Sequence, residues 1–232
     1  GYTLTAEDIV VDRDGDGNWY IQVRVRQPVA LTFLRVMGLT EATIGAAATA
    51  TYYYPTWVHG NILPLFLPEE EWRQLAGAGL QTIKIAGPQD TFARFYPGNF
   101  RAAAFDWPGG GADSFEDYLA GRRKAKLAVG DLLYTQTGKI AGKSVTGIEA
   151  RKQAGLDCGL VPVVRFEELH GRQETIVVGF AFFQLLDVLK QGPDKGAIVG
   201  YFVPGGGSCG SGSGGDQDEA HNYGVKVVRL IH

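Results

Sequence analysis

Trp19-Tyr20-Ile21-Gln22-Val23-Arg24-Val25-Arg26 sets Trp19, Ile21, Val23 and Val25 against Tyr20, Gln22, Arg24 and Arg26 at alternate positions. A period of two is the signature of a strand with one covered face and one wet face. Upstream, Tyr2 to Val11 reads as a further strand that reaches this one through a polar loop. Downstream, Pro28 suits a first helical position, Leu31, Leu34, Phe33 and Met37 have helical spacing, and Gly38 suits a helix end, so the spacing predicts a helix over 28–38. Ala42 to Tyr54 mixes alanines with Thr43, Ile44, Thr49, Thr51 and three tyrosines, and is read as a strand. The result is a strand-strand-helix-strand unit over residues 1–55.

Residues 56–232 form the second expected unit, β-rich with short helices. Pro64, Pro68, Gly77, Gly79, Gly87 and Pro88 punctuate short apolar segments, as turns between strands do. Helices are predicted at Pro68–Ala76, at Asp113–Ala120 with Asp113 or Ser114 as cap, and at Ser144–Ala154 closed by Gly155. Strands are predicted at Val161–Phe166, Thr175–Val188, Ala197–Val203 and Val225–Ile231, with Gly171 in the turn between the first two. Gly205 to Gly215 reads as a mobile loop unless something clamps it. The fold class expected is therefore α+β, predominantly β, with the small unit packed on the larger body.

The 232 residues carry Lys+Arg 22 against Asp+Glu 25, a formal net charge of -3. Such a balance supplies no global basic field for phosphate, so nucleic acid is not an expected partner. The local run Arg122-Arg123-Lys124 with Lys126 reads as a solvated turn. The longest apolar stretch, Ile176 to Leu189, is interrupted by Gln184 and Asp187 and falls short of the roughly 20 residues a spanning helix needs. With Gly1 leading straight into strand-like sequence, the chain reads as a fragment whose anchoring or exporting segment lies upstream.

Asp12-Arg13-Asp14-Gly15-Asp16-Gly17-Asn18 places three carboxylates at alternate positions before a glycine, the first half of a calcium loop. Asp12, Asp14, Asp16 and Asn18 are the candidate ligands, with calcium the cation expected. The second half departs from the pattern, because Val23 stands where a bidentate glutamate belongs. A polar hairpin turn is the other reading of the same residues. Cys158 and Cys209 are the two cysteines. In an exported chain they permit one bridge, closing a loop of about 50 residues and contributing roughly 3 to 4 kcal/mol; two independent thiols are the alternative. A hydrolase built from Cys209, His221 and Asp216 or Asp218 fits no local signature, and neither a nucleophile elbow nor a phosphate loop is present. Tyr52, Tyr53, Tyr54 and Trp57 suit either a core or a sugar-stacking surface.

The strand at Ile21, the segment Phe33-Leu34-Arg35-Val36-Met37-Gly38 and the small-residue run Gly45-Ala46-Ala47-Ala48-Thr49-Ala50 together resemble TadE/TadG-like proteins of Flp-type (Tad) pilus assembly. Gly98-Asn99-Phe100, Gly121, Val129-Gly130-Asp131, Thr135, Thr137-Gly138, Gly147-Ile148 and Arg151 follow in the order of that family's segments, and Val161-Pro162-Val163-Val164 and Gly179-Phe180-Ala181-Phe182-Phe183 extend the likeness. The resemblance implies a non-catalytic protein, tethered by a membrane helix before Gly1, whose soluble part stands outside the cytoplasmic membrane of a bacterium. Its implied partners are other pilus-assembly or envelope proteins. A carbohydrate- or wall-binding module is the runner-up reading.

Overall fold

The computed structural model describes residues 3–78, 83–85, 99–106, 111–137, 140–165, 173–203 and 211–231. The chain divides into two compact units, Gly1–Tyr53 with Val228–His232, and Tyr54–Val227. The protein is α+β and predominantly β.

In the first unit, β1 (Ile9–Arg13) pairs antiparallel with β2 (Trp19–Ala30), and β2 with the first part of β3 (Glu41–Gly60). The β2–β3 ladder runs unbroken from Tyr20 opposite Thr51 to Ala30 opposite Glu41. The C-terminal strand of the chain, Val227–Ile231, also pairs with β3.

The second unit is organised around a pair of strands covered on both sides. Its seven-stranded sheet has the order Leu67–Pro68 (β4), Cys158–Val164 (β9), Glu174–Val188 (β10), Ile198–Phe202 (β11), Ile83–Ile85 (β5). Leu132–Thr137 (β8) pairs with β10, and Asn99–Ala104 (β6) with β8. All seven residues of β9 are buried. Along β10 the side chains alternate between two cores: Ala181 and Phe183 pack with Leu63, Val161 and Phe202, and Phe180 and Phe182 with Phe66, Leu160 and Val164. A strand covered on both faces has no need of polar positions, and so the sequence reads as a continuous apolar run. The last residues of β3 carry a second ladder, with Ala125–Ala128 (β7) and Ser211–Asp216 (β12) as its partners.

Among the described residues this unit also has three α-helices: α1 (Glu69–Ala78), α2 (Ala112–Leu119) and α3 (Ala141–Gln153). Leu119 of α2 and Ile148 of α3 are fully buried in one core. After α2 the chain turns at Gly121, whose φ of +78° favours glycine and where a Cβ would stand 2.8 Å from the Leu156 Cδ1 methyl.

Two buried arginines hold the second unit from inside. Arg151 donates to the carbonyls of Leu119 (3.0 Å) and Cys158 (2.6 Å) and to Asn61 Oδ1. Burial pushes its guanidinium down to about 10, which leaves it charged at neutral pH. Arg101 lies in β6 at a bulge, with φ +58°, and its guanidinium grips Glu71 through both nitrogens, Nη2 to Oε1 at 2.9 Å and Nη1 to Oε2. Both side chains of that pair are 2% exposed.

Several expectations need correction. No α-helix occupies residues 28–38: β2 continues through Pro28 to Ala30, and only a four-residue 3-10 turn, Leu34–Met37, follows. Pro28 is tolerated in the strand because β1 flanks β2 only from Trp19 to Val23, leaving Pro28 at an edge. The long ladder with β3 outweighs a local helical spacing. Gly38 does end the turn, in the left-handed region at φ +81°. Part of the glycine-rich tract is strand rather than loop, since Ser211–Asp216 pairs with His59 to Tyr54. Neither Asp113 nor Ser114 caps α2; Gly111 is the cap position, Asp113 reaches Lys143 and Ser114 reaches Asp106. Gly171 lies outside the described residues.

The buried pair gives the first test. Glu71→Ala leaves the Arg101 charge without its carboxylate and should lower unfolding free energy by about 3–5 kcal/mol in urea titration, whereas Glu71→Leu with Arg101→Met should recover most of the loss. A loss below about 1 kcal/mol for the single variant would show that the pair is not an anchor of the core.

Candidate interaction surface

Residues directly opposite each other in an antiparallel ladder project from the same side of the sheet. In the first unit this places Ile9 and Val11 of β1 beside Val23 and Ile21 of β2, and these beside Ala48 and Ala50 of β3. Further along, Val25 stands opposite Ala46, Gln27 opposite Ile44 and Val29 opposite Ala42. One face is thus aliphatic over almost its whole length. The other carries Val10, Asp12, Tyr20, Gln22, Arg24 and Arg26 against Thr51, Thr49, Ala47 and Gly45. There Gln22 Nε2 donates to Thr49 Oγ1 at 3.0 Å and Arg24 Nε to Gln22 Oε1 at 2.6 Å.

None of the described residues from Thr3 to Tyr53 is buried. Ile9 is 42% exposed, Val11 60%, Ile21 44% and Ile44 58%. A few strands with an uncovered apolar face are marginal in water, and contiguous apolar patches of this kind mark sites of association. Trp19, at one end of the face, is overlaid by the Arg13 guanidinium at 4.5 Å.

At that same end lies the acidic turn. Asp14 Oδ1 accepts the backbone N–H of Asp16 (3.0 Å) and of Asn18 (2.8 Å), and Asn18 Nδ2 donates to Asp14 Oδ2 at 3.4 Å. The bond from the Asn18 backbone chiefly holds the Asp14 carboxyl below its usual value. Asp12 Oδ1 accepts the N–H of Arg13 at 2.8 Å. The turn is therefore organised by its own backbone, with Asp14 as the hub. Among the described residues no group of three or more His, Cys, Asp or Glu is placed to hold a metal ion.

The remaining candidates lie in the second unit. Cys158 opens β9, buried, opposite Gln184; Cys209 lies outside the described residues. Asp216 Oδ1 and His221 Nδ1 are 3.0 Å apart, while the Cys209 nucleophile that a hydrolase reading requires falls among residues not described. Arg122 pairs with Glu116 (3.0 Å) and Asp117 (2.8 Å), Arg123 with Asp106, and the Lys126 ammonium lies 5.0 Å from the Trp57 ring. Asp106 also accepts from Ser114 (2.5 Å) and Tyr118 (2.6 Å), and burial followed by that bond pushes the Tyr118 hydroxyl up to about 12. Of the aromatic run, Tyr54 is buried. Asp131, from the glycine-aspartate segment, accepts the Ala128 N–H at 2.8 Å and closes a turn.

The sequence reading missed the extent of the apolar face. The segment is a strand, as read, but Ala42, Ile44, Ala46, Ala48 and Ala50 alternate with Thr43, Gly45, Ala47 and Thr49, a contrast too small to declare which side is apolar. No helix among the described residues is long and apolar enough to cross a membrane. Comparison with protein-family models, with curated proteins and with solved structures found no match to this chain.

Proposed function

We propose that this chain is a non-catalytic, extracytoplasmic scaffold or minor pilin-like component of an envelope assembly of the Flp/Tad pilus type, held to its partners by the apolar face of its first unit. The observation that carries the reading is that face: aliphatic from Ile9 to Val29, exposed at Ile9, Val11, Ile21, Val29 and Ile44 and half-buried at Val23 and Val25, and backed by a more polar surface on the same strands. A single sheet layer with one such face gains by covering it against another protein. The pilus type comes from the sequence resemblance, as do the membrane tether and the envelope partners. The rings of Tyr54 and Trp57 favour the scaffold over a sugar-binding module, since one is buried and the other is capped by Lys126.

Two further features belong to the same proposal. In an oxidising compartment Cys158 and Cys209 form a bridge, and the Asp12–Asn18 turn takes calcium at roughly millimolar concentration by exchanging the backbone donors of Asp14 for the cation.

In the source bacterium, deletion of the gene should remove surface filaments from electron micrographs. The unaltered gene should restore them. Ile21→Lys with Val23→Lys should not, and Thr49→Lys on the opposite face should. Filaments that persist after deletion, or rescue by the Ile21 and Val23 variant, would refute the reading. Peptide mapping without reductant should find the Cys158 and Cys209 peptides joined; two alkylated thiols would remove the bridge. Calcium titration by calorimetry should release heat that disappears with Asp12→Asn and Asp16→Asn, and silence at millimolar calcium would leave the turn as a hairpin alone.

A further inference from the structure

The 3-10 turn that links β2 to β3 does what connecting turns avoid. Phe33 is 89% exposed, Val36 92% and Met37 76%, with Leu39 at 53% just beyond. Large apolar side chains at this exposure stabilise nothing in the fold, and a cluster of them on one turn marks a surface made for another phase. The turn is nonetheless built. Leu31 N–H donates to the Thr40 carbonyl at 2.9 Å, Gly38 N–H to that of Arg35 at 3.0 Å, and Leu39 N–H to that of Leu34 at 3.1 Å. The backbone polar groups that would resist transfer into an apolar medium are in this way partly satisfied among themselves.

Charge identifies the medium. Between Arg24 and Ala47 the charged residues are Arg24, Arg26, Arg35 and Glu41, three positive and one negative, a net of +2. Asp12, Asp14 and Asp16 lie beyond the opposite end of β2, whose length at about 3.3 Å per residue is some 40 Å, so they are farthest from the tip and roughly 17 Å or more along the strand from Arg24. The unit is thus graded along its strands, from an apolar tip where Arg35 and Glu41 balance, through the positive charges of Arg24 and Arg26 in the body of β2, to an acidic end. A lipid surface with anionic headgroups attracts the positive part and repels the acidic end. Arg26 and Arg24, in β2 behind the turn, keep their guanidinium groups toward the headgroups while the apolar side chains enter the acyl boundary, and Arg35, within the turn itself, reaches the same level along its own aliphatic stem. A groove on a soluble protein would also accept Phe33 and Met37, but gives no reason for a charge gradient running the length of the hairpin.

We infer that the β2–β3 hairpin tip is a lipid-surface anchor, inserting Phe33, Val36, Met37 and Leu39 into an anionic leaflet with Arg24, Arg26 and Arg35 against the headgroups. This goes beyond docking to protein partners and uses different residues from the apolar face.

The test is flotation of the purified full chain with vesicles of phosphatidylcholine alone and of phosphatidylcholine with one-third phosphatidylglycerol. The chain should float with the anionic vesicles. Phe33→Ser with Val36→Ser should lower the partition coefficient by about tenfold or more, since each large side chain contributes at least that factor on burial. The variant should fold normally, because these side chains are exposed. Replacing Arg24, Arg26 and Arg35 with Gln should lower it several-fold and flatten its dependence on salt. Ile21→Gln with Val23→Gln, which breaks the docking face without adding charge, should bind vesicles as the parent does, so loss of the docking face and loss of the anchor read out separately. A Phe33→Trp variant should gain a blue-shifted component on adding anionic vesicles. A chain that does not float, that floats equally well with the serine variant, or that prefers neutral vesicles overturns the inference.

Discussion

The register between β2 and β3 is the constraint on which the first unit depends. Side chains alternate with a period of two, so a slip of one residue would carry every aliphatic group of β2 to the opposite side from its β3 neighbours. As paired, Ile21 meets Ala50, Val23 meets Ala48 and Val25 meets Ala46, while Gln22 reaches Thr49 on the reverse. The polar bonds of one face and the aliphatic row of the other select the same register. That agreement gives an ordered sheet whose apolar face is nevertheless left open, because no described residue of the unit has enough neighbours to be buried.

The second unit solves the same problem differently. Its central strands, β9 and β10, are covered on both sides, and the cores on the two sides contain Phe183 with Phe202 and Phe180 with Phe182. Here the buried charges are structural. Arg151 joins the end of α2 to the start of β9 by donating to Leu119 and Cys158, and Arg101 is fixed by Glu71. Neither arrangement needs a ligand to explain it.

Much of this was legible in residues read one after another. The alternation at Trp19 to Arg26, the apolar run at Thr175 to Val188 and the helix ended by Gly155 each carry a local period or stop signal, and each element is present. Residues 28–38 were misread because Pro28 and the spacing of Leu31, Leu34 and Met37 mimic a helix; the competing ladder to Glu41–Gly45 is a non-local fact. Ser211–Asp216 is strand for the same reason, since its glycines offer no propensity and the pairing with β3 alone decides. The acidic turn was visible as a cluster of carboxylates, but not the use of Asp14 to organise its own backbone. Exposure of the aliphatic face was the least legible feature of all, because alternation announces a face that wants cover and says nothing about whether the chain supplies it.

The most direct measurement of that openness is methyl-resolved NMR of the isolated chain in the presence of a soluble paramagnetic relaxation agent. With the face open, the methyl groups of Val11, Ile21, Ile44 and Ala48 should relax as strongly as those of Thr43, Thr49 and Thr51 on the opposite face. Protection of the aliphatic face to the level of Val163 and Val177 in the core of the second unit would contradict that openness.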